Sequence, residues 1–183
     1  EFLYTVKIEH KLKDALLKNN FFLNYQPQFD TKNKKLRGVE ALIRWKDQDD
    51  SFISPSVFIP IAEKNGTIIP IGSWVIEEGL KTYCSWRKKY NYPLILSLNI
   101  SALQFRKSDF VNKLLTMTKL YDIEPCFVEL EITESVLIDD FDDIVFKMRA
   151  LREYGFRVSL DDFGTGFSSL SYLKDLPIDT LKI

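Results

Sequence analysis

The sequence predicts an α/β fold, and three observations carry that prediction. Two alternating stretches near the start read as an antiparallel hairpin. From residue 94 onward, strands alternate with helices, which implies a parallel sheet. No low-complexity segment or interdomain linker interrupts the order, and 183 residues suit one domain with a sizeable core.

Residues 6–19 place Ile8, Leu12, Ala15 and Leu16 on one side of a helix. Phe21, Leu23 and Tyr25 then alternate with Asn24, Gln26 and Gln28, and Pro27 suggests an edge strand or its end. The polar run 31–35 turns the chain into a second strand, 36–45. Ser54-Pro55-Ser56 opens a helix that Asn65-Gly66 closes with a left-handed stop. Residues 70–90 read as a longer helix. Strands follow at 94–100, 127–132 and 156–162, with helices at about 107–121 and 141–154, the latter stopped by Gly155. A Gly/Ser loop, a short helix near 168–175 and a last strand at 180–183 complete the order.

Composition excludes several function classes. Net charge is −1, from 25 Lys+Arg against 26 Asp+Glu, so no basic field argues for DNA, RNA or an anionic membrane. The apolar runs are far shorter than a membrane span and no leader opens the chain, so a cytoplasmic location is expected. Cys84 and Cys126 lack metal-type spacing and are expected to be small buried thiols in a reducing compartment.

The strands carry the functional signal. Leu94, Leu96, Leu98 and Ile100 share one face, and Ser97, Asn99 and Ser101 the other. Val128, Leu130 and Ile132 oppose Glu129, Glu131 and Thr133; Phe156, Val158 and Leu160 oppose Arg157, Ser159 and Asp161; Leu181 opposes Lys182. Buried parallel strands usually read apolar on both faces. Here the second face ends, strand after strand, in Asn, Glu, Asp or Lys. Neighbouring strand ends should therefore bring several oxygens to one point. A buried carboxylate cluster needs counter-charge, and oxygen donors alone suit Mg²⁺ or Mn²⁺ rather than zinc. Barrel active sites lie at this carboxyl end.

The runs YQPQFD (25–30), GVEALIRW (38–45), LNISALQF (98–105), ELEITES (129–135) and DDFGTGFSSLSYLKDLPIDTLKI (161–183) resemble the successive signatures of the EAL family, whose Glu-Ala-Leu is Glu40-Ala41-Leu42 here. The resemblance spans essentially the whole chain. It implies a TIM-like (β/α) barrel with one antiparallel strand near the N-terminus. It also implies two-metal hydrolysis of cyclic di-GMP to linear pGpG. By resemblance, Glu40, Asn99, Glu131 and Asp161 hold one metal, Asp161 bridges to a second, and Asp162 is another ligand there. Lys182 touches the attacking water. Gln26 and Arg44 match positions at the substrate's phosphates, and Glu134 matches the residue that shapes the DDFGTG loop. Glu40, Glu134 and Lys182 are thus the expected catalytic set.

Two Mg²⁺ or Mn²⁺ ions roughly 3.5–4 Å apart would clamp attacking and leaving oxygens, which makes a histidine unnecessary. The only histidine, His10, reads as a surface residue of the first helix. Plainer readings stand beside each assignment: a strand-end ion pair for Arg44, an edge-strand polar residue for Gln26, a helix-start acid for Glu134, a turn cap for Asp162, a solvent-reaching lysine for Lys182. Turn geometry alone would explain Gly164 and Gly166, and packing would explain Phe163 and Phe167. A barrel of this type typically needs about 250 residues, so residues 1–183 are expected to be one partial domain truncated after about the sixth strand. A homodimer and fusion to a GGDEF or sensor domain are further expectations. A non-catalytic cyclic di-GMP receptor and a dimerisation module are the alternatives to the enzyme.

Overall fold

A computed structural model describes residues 2–47, 51–138, 140–164 and 173–182. Helix α1 (Phe2–Ala15) leads into strands β1 (Phe21–Phe29) and β2 (Leu36–Lys46), which pair antiparallel as the alternation predicts. A two-residue strand β3 (Phe52–Ile53) adds to β2, and helices α2 (Pro55–Asn65) and α3 (Ile68–Tyr90) follow. Then come β4 (Ile95–Ile100), α4 (Ala102–Phe105), α5 (Phe110–Leu120), β5 (Val128–Thr133), α6 (Phe141–Glu153), β6 (Arg157–Asp161) and β7 (Thr180–Leu181). Gly66 and Gly155 both sit at positive φ just past a helix, where their lack of a Cβ permits the stop. Most of the predicted helix near 168–175 lies outside the described residues.

The sheet runs β1-β2-β4-β5-β6-β7, parallel from β2 onward, with β3 off the path. β1 is an edge strand of the described sheet, so Pro27 removes no ladder bond that a further strand needs. The sheet is strongly curled. Four strand spacings separate β2 from β7, which laid flat would be roughly 19 Å. Yet Lys182 Nζ, just beyond β7, lies 3.6 Å from Glu40 Oε2 on β2. Only a concave, barrel-like face brings those ends together.

The outer face is the core. Leu96, Leu98, Leu130, Ile132, Val158 and Leu160 are fully buried there beneath the helices. α3 presses directly onto β4: a Cβ on Gly79 would stand 3.0 Å from a Leu98 methyl. At the other end Phe21, Trp45 and Phe58 meet with ring centroids 5.4–5.7 Å apart, fastening the hairpin to α2. The cysteines depart from expectation: both are free, but Cys84 is half-buried and Cys126 is exposed. Among the described residues, no helix is long and apolar enough to cross a membrane.

Leu130 is completely buried in the central strand β5. Leu130→Ala should lower unfolding stability by about 2–5 kcal/mol in guanidinium titration, the range for deleting a packed leucine.

Candidate active site

Strand alternation sends the outward residues of β4, β5 and β6 into the core and their neighbours into the concave interior. Register then lines up the neighbours. Asn99 lies opposite Glu131, and Thr133 opposite Asp161. Lys182 follows β7 and is clamped by its backbone, its N–H donating to the Leu160 carbonyl (2.8 Å) and its carbonyl accepting from the Phe163 N–H (3.3 Å). Five strands thus deliver Glu40, Asn99, Glu131, Asp161 and Lys182 to one end of the sheet.

Their contacts are specific. Asn99 Nδ2 donates to Glu40 Oε1 at 2.8 Å. Lys182 Nζ stands 2.5 Å from Glu131 Oε1 and 3.6 Å from Glu40 Oε2, so one ammonium faces two carboxylates. Glu131 is almost wholly buried, and neither of its oxygens accepts a well-directed hydrogen bond among the described residues. Burial pushes its carboxyl up to about 7; the Lys182 ammonium opposes that rise and the Glu40 charge adds to it. Burial alone would lower the Lys182 pKa, but the Glu131 contact and the fields of Glu40 and Asp161 outweigh it, and the group is raised. The pair is held as a charge contact in a poorly solvated place.

The other expected residues sit around this centre. Asp162 is exposed at φ 55, a left-handed turn that Asp tolerates, and its N–H donates to Asp161 Oδ1 at 2.9 Å. Gln26 is exposed on β1 directly opposite Glu40. Arg44 Nη1 donates to the Ile43 carbonyl at 2.8 Å, and the side chain borders a cleft of about 290 Å³ that opens beside Glu40, Asn99 and Glu131. Glu134 begins a 3-10 turn straight after β5. Phe163 packs against the core and Gly164 has φ 97, in keeping with packing and turn roles; Gly166 and Phe167 lie outside the described residues.

Ser101 and Thr133, placed from sequence on the polar strand faces, also line the cleft, as do Glu63 and Gln104, which were not singled out. Burial raises the Glu63 carboxyl. Ser101 and Gln104 form a reciprocal capping box at the start of α4. The pattern Ser-x-x-Gln, present in the sequence, is the signal that could have found that helix.

Among the described residues, no three His, Cys, Asp or Glu side chains form a ready metal cage. Asn99 is bonded to Glu40, and Lys182 stands between the two glutamates. In chemistry, though, the donors fit a hard divalent cation: carboxylate and amide oxygens, including two buried Glu131 oxygens that accept no well-directed hydrogen bond among the described residues.

Comparison with known proteins places this geometry. The pattern that defines the EAL domain matches residues 9–183. The chain is similar to the signaling protein YkoW of Bacillus subtilis, at 43% identity over 98% of this chain and 22% of that protein. It is similar to the cyclic di-GMP phosphodiesterase PA2567 of Pseudomonas aeruginosa, at 40% identity over 89% of this chain and 28% of that protein. The chain therefore spans about a quarter of the length of these curated relatives. The solved structure of the PaMucR phosphodiesterase in complex with c-di-GMP superposes with a TM-score of 0.90 at 38% identity, covering 97% of this chain and 72% of that one.

The Glu131 carboxyl sets a pH dependence in metal-free buffer. Its pKa is raised on folding from 4.5 to about 7, so the folded state holds the proton more tightly. Stability from this group is therefore present below pH 4.5 and lost as pH rises through 7. Thermal unfolding in EDTA should show that decline, and Glu131→Gln should flatten it.

Proposed function

This chain belongs to the EAL domain family, and on that premise we propose that it carries the hydrolytic centre of a phosphodiesterase that opens cyclic di-GMP to linear pGpG. The observation that carries the reading is the meeting of Glu40, Asn99, Glu131 and Lys182 within hydrogen-bonding or ion-pair distance at the end of a curled sheet. Oxygen donors concentrated around a buried carboxylate make a place for cations and, beside them, a phosphate diester.

In this reading Glu40, Asn99, Glu131 and Asp161 would hold one Mg²⁺ or Mn²⁺, and Asp161 and Asp162 would serve a second. When bound, such cations would supply Lewis acidity toward the phosphate oxygens and lower the pKa of the attacking water. Lys182 orients that water and offsets the negative charge that grows as its oxygen bonds to phosphorus. The P–O bond to the 3′ oxygen breaks, and that oxygen takes up a proton. Gln26 and Arg44, on the hairpin beside Glu40, hold the phosphate region. Glu134, at the exit of β5, supports the turn that carries Asp161 and Asp162. Relatives named as a bifunctional diguanylate cyclase/cyclic di-GMP phosphodiesterase and as an oxygen sensor protein favour fusion to a GGDEF or sensor domain in the full-length protein.

The test is turnover by the full-length protein with cyclic di-GMP and Mg²⁺ or Mn²⁺. Linear product supports the enzyme. Tight binding without product would make the protein a receptor, and neither would make it an interaction module. Glu40→Ala should abolish hydrolysis, and an active variant would overturn the ligand assignment. Lys182→Met should reduce kcat by about 10²–10³-fold while KM changes little, the range for losing one charge-stabilising donor.

A further inference from the structure

A second layer of polar side chains lies beneath the site, one step earlier on the same strands. Glu129 precedes Glu131 by two residues on β5, and its side chain is buried. Arg37 Nη2 reaches it from β2, 2.9 Å from Oε2 and 3.2 Å from Oε1. Thr180 Oγ1 donates to Glu129 Oε1 from β7 at 3.0 Å, two residues before Lys182. The Ser97 hydroxyl on β4, two residues before Asn99, lies 3.4 Å from Glu129 Oε2. Arg37 Nη1 also donates to Gln28 Oε1 on β1 at 3.2 Å. One buried carboxylate therefore joins β2, β4, β5 and β7 across the concave face.

Arg37 reaches that interior through a local irregularity. Glu40 faces inward, and simple alternation would send Arg37 to the opposite side. The β1–β2 register slips there: Gln28 pairs with Gly38 and Phe29 with Leu36, leaving Arg37 as the extra residue of a bulge. Bulges re-aim side chains in this way. Beside it, Gly38 admits no substituent, because a Cβ would stand 2.3 Å from the Ile95 carbonyl oxygen of β4.

We propose that Arg37, Glu129 and Thr180 are positioning residues that fix the stagger of β2, β5 and β7, and through it the mutual placement of Glu40, Glu131 and Lys182. The proposal rests on the phosphodiesterase reading for its kinetic consequence, but not for its structural one. None of Arg37, Glu129, Thr180 and Ser97 lines the cleft beside the site. The lower layer's Arg37–Glu129 and Thr180–Glu129 contacts each skip a strand of the sheet, so these two constrain its curl rather than one ladder. Glu129 is buried and Arg37 half-buried; an ion pair with a buried partner is often replaceable by apolar groups without loss of stability, whereas its geometry is not reproduced.

That asymmetry supplies the test, made in the full-length protein. The double substitution Arg37→Met with Glu129→Leu should leave the melting temperature and the KM for cyclic di-GMP near wild type. It should lower kcat and weaken Mn²⁺ binding, followed by electron paramagnetic resonance, by about 10–100-fold, the range for outer-sphere groups that orient ligands. A crystal structure of the double variant should show Lys182 displaced from Glu131. Thr180→Val, nearly isosteric, serves if the double variant fails to fold, and should shift kcat and Lys182 in the same sense. Wild-type kcat with Lys182 unmoved, in the double variant or in Thr180→Val if only that folds, overturns the proposal. If the wild-type protein shows no turnover at all, the functional reading fails, and the position of Lys182 alone decides the structural claim.

Discussion

A carboxylate withdrawn from water must meet positive charge or keep its proton, and Glu131 is the residue on which that constraint falls. It stands on the central strand, faces the interior, and meets the Lys182 ammonium as its close polar contact. Everything around it can be read as a response. Lys182 approaches from β7, Glu40 shares the same ammonium, and Asn99 ties Glu40 in turn. An acid buried there is locally unfavourable, and what offsets it is electrostatic.

The two polar layers divide the labour by burial and pairing. Glu129 is met by a guanidinium and two hydroxyls, so its charge is matched in place. Glu131, two residues further along the same strand, faces a single flexible lysine and the mouth of a cleft. The lower carboxylate is held by side chains from three other strands; the upper is held by Lys182 beside the cleft. On the outer face, continuous apolar packing against α3 and α6 holds both layers without contributing chemistry.

Much of this was legible in the sequence because period-two alternation is strict in a strand and survives into register. Asn99, Glu131 and Asp161 were placed on one face by that rule alone, and the hairpin and the helix stops at Gly66 and Gly155 followed from local chemistry. What could not be read came from departures from periodicity or from contacts distant in sequence. Arg37 sits on the wrong parity for an inward residue, and only the bulge corrects it. Lys182 was placed at the same strand tips, but its ion pairs with Glu40 and Glu131 were not legible, since nothing local links residue 182 to residues 40 and 131. The short α4 was hidden by its length, although its capping pair was in plain view. The exposed Cys126 shows that absence of partner spacing says nothing about burial.

The contact between Glu40 and Lys182 joins residues 142 positions apart in the chain (182 − 40). A ribosome adding about 5–20 residues per second emits them about 7–28 s apart. Through that interval Glu131 is made and its strand can pair, yet the ammonium that will face it does not exist. Any strand pairing that precedes residue 182 leaves Glu131 without the ammonium that faces it in the finished fold.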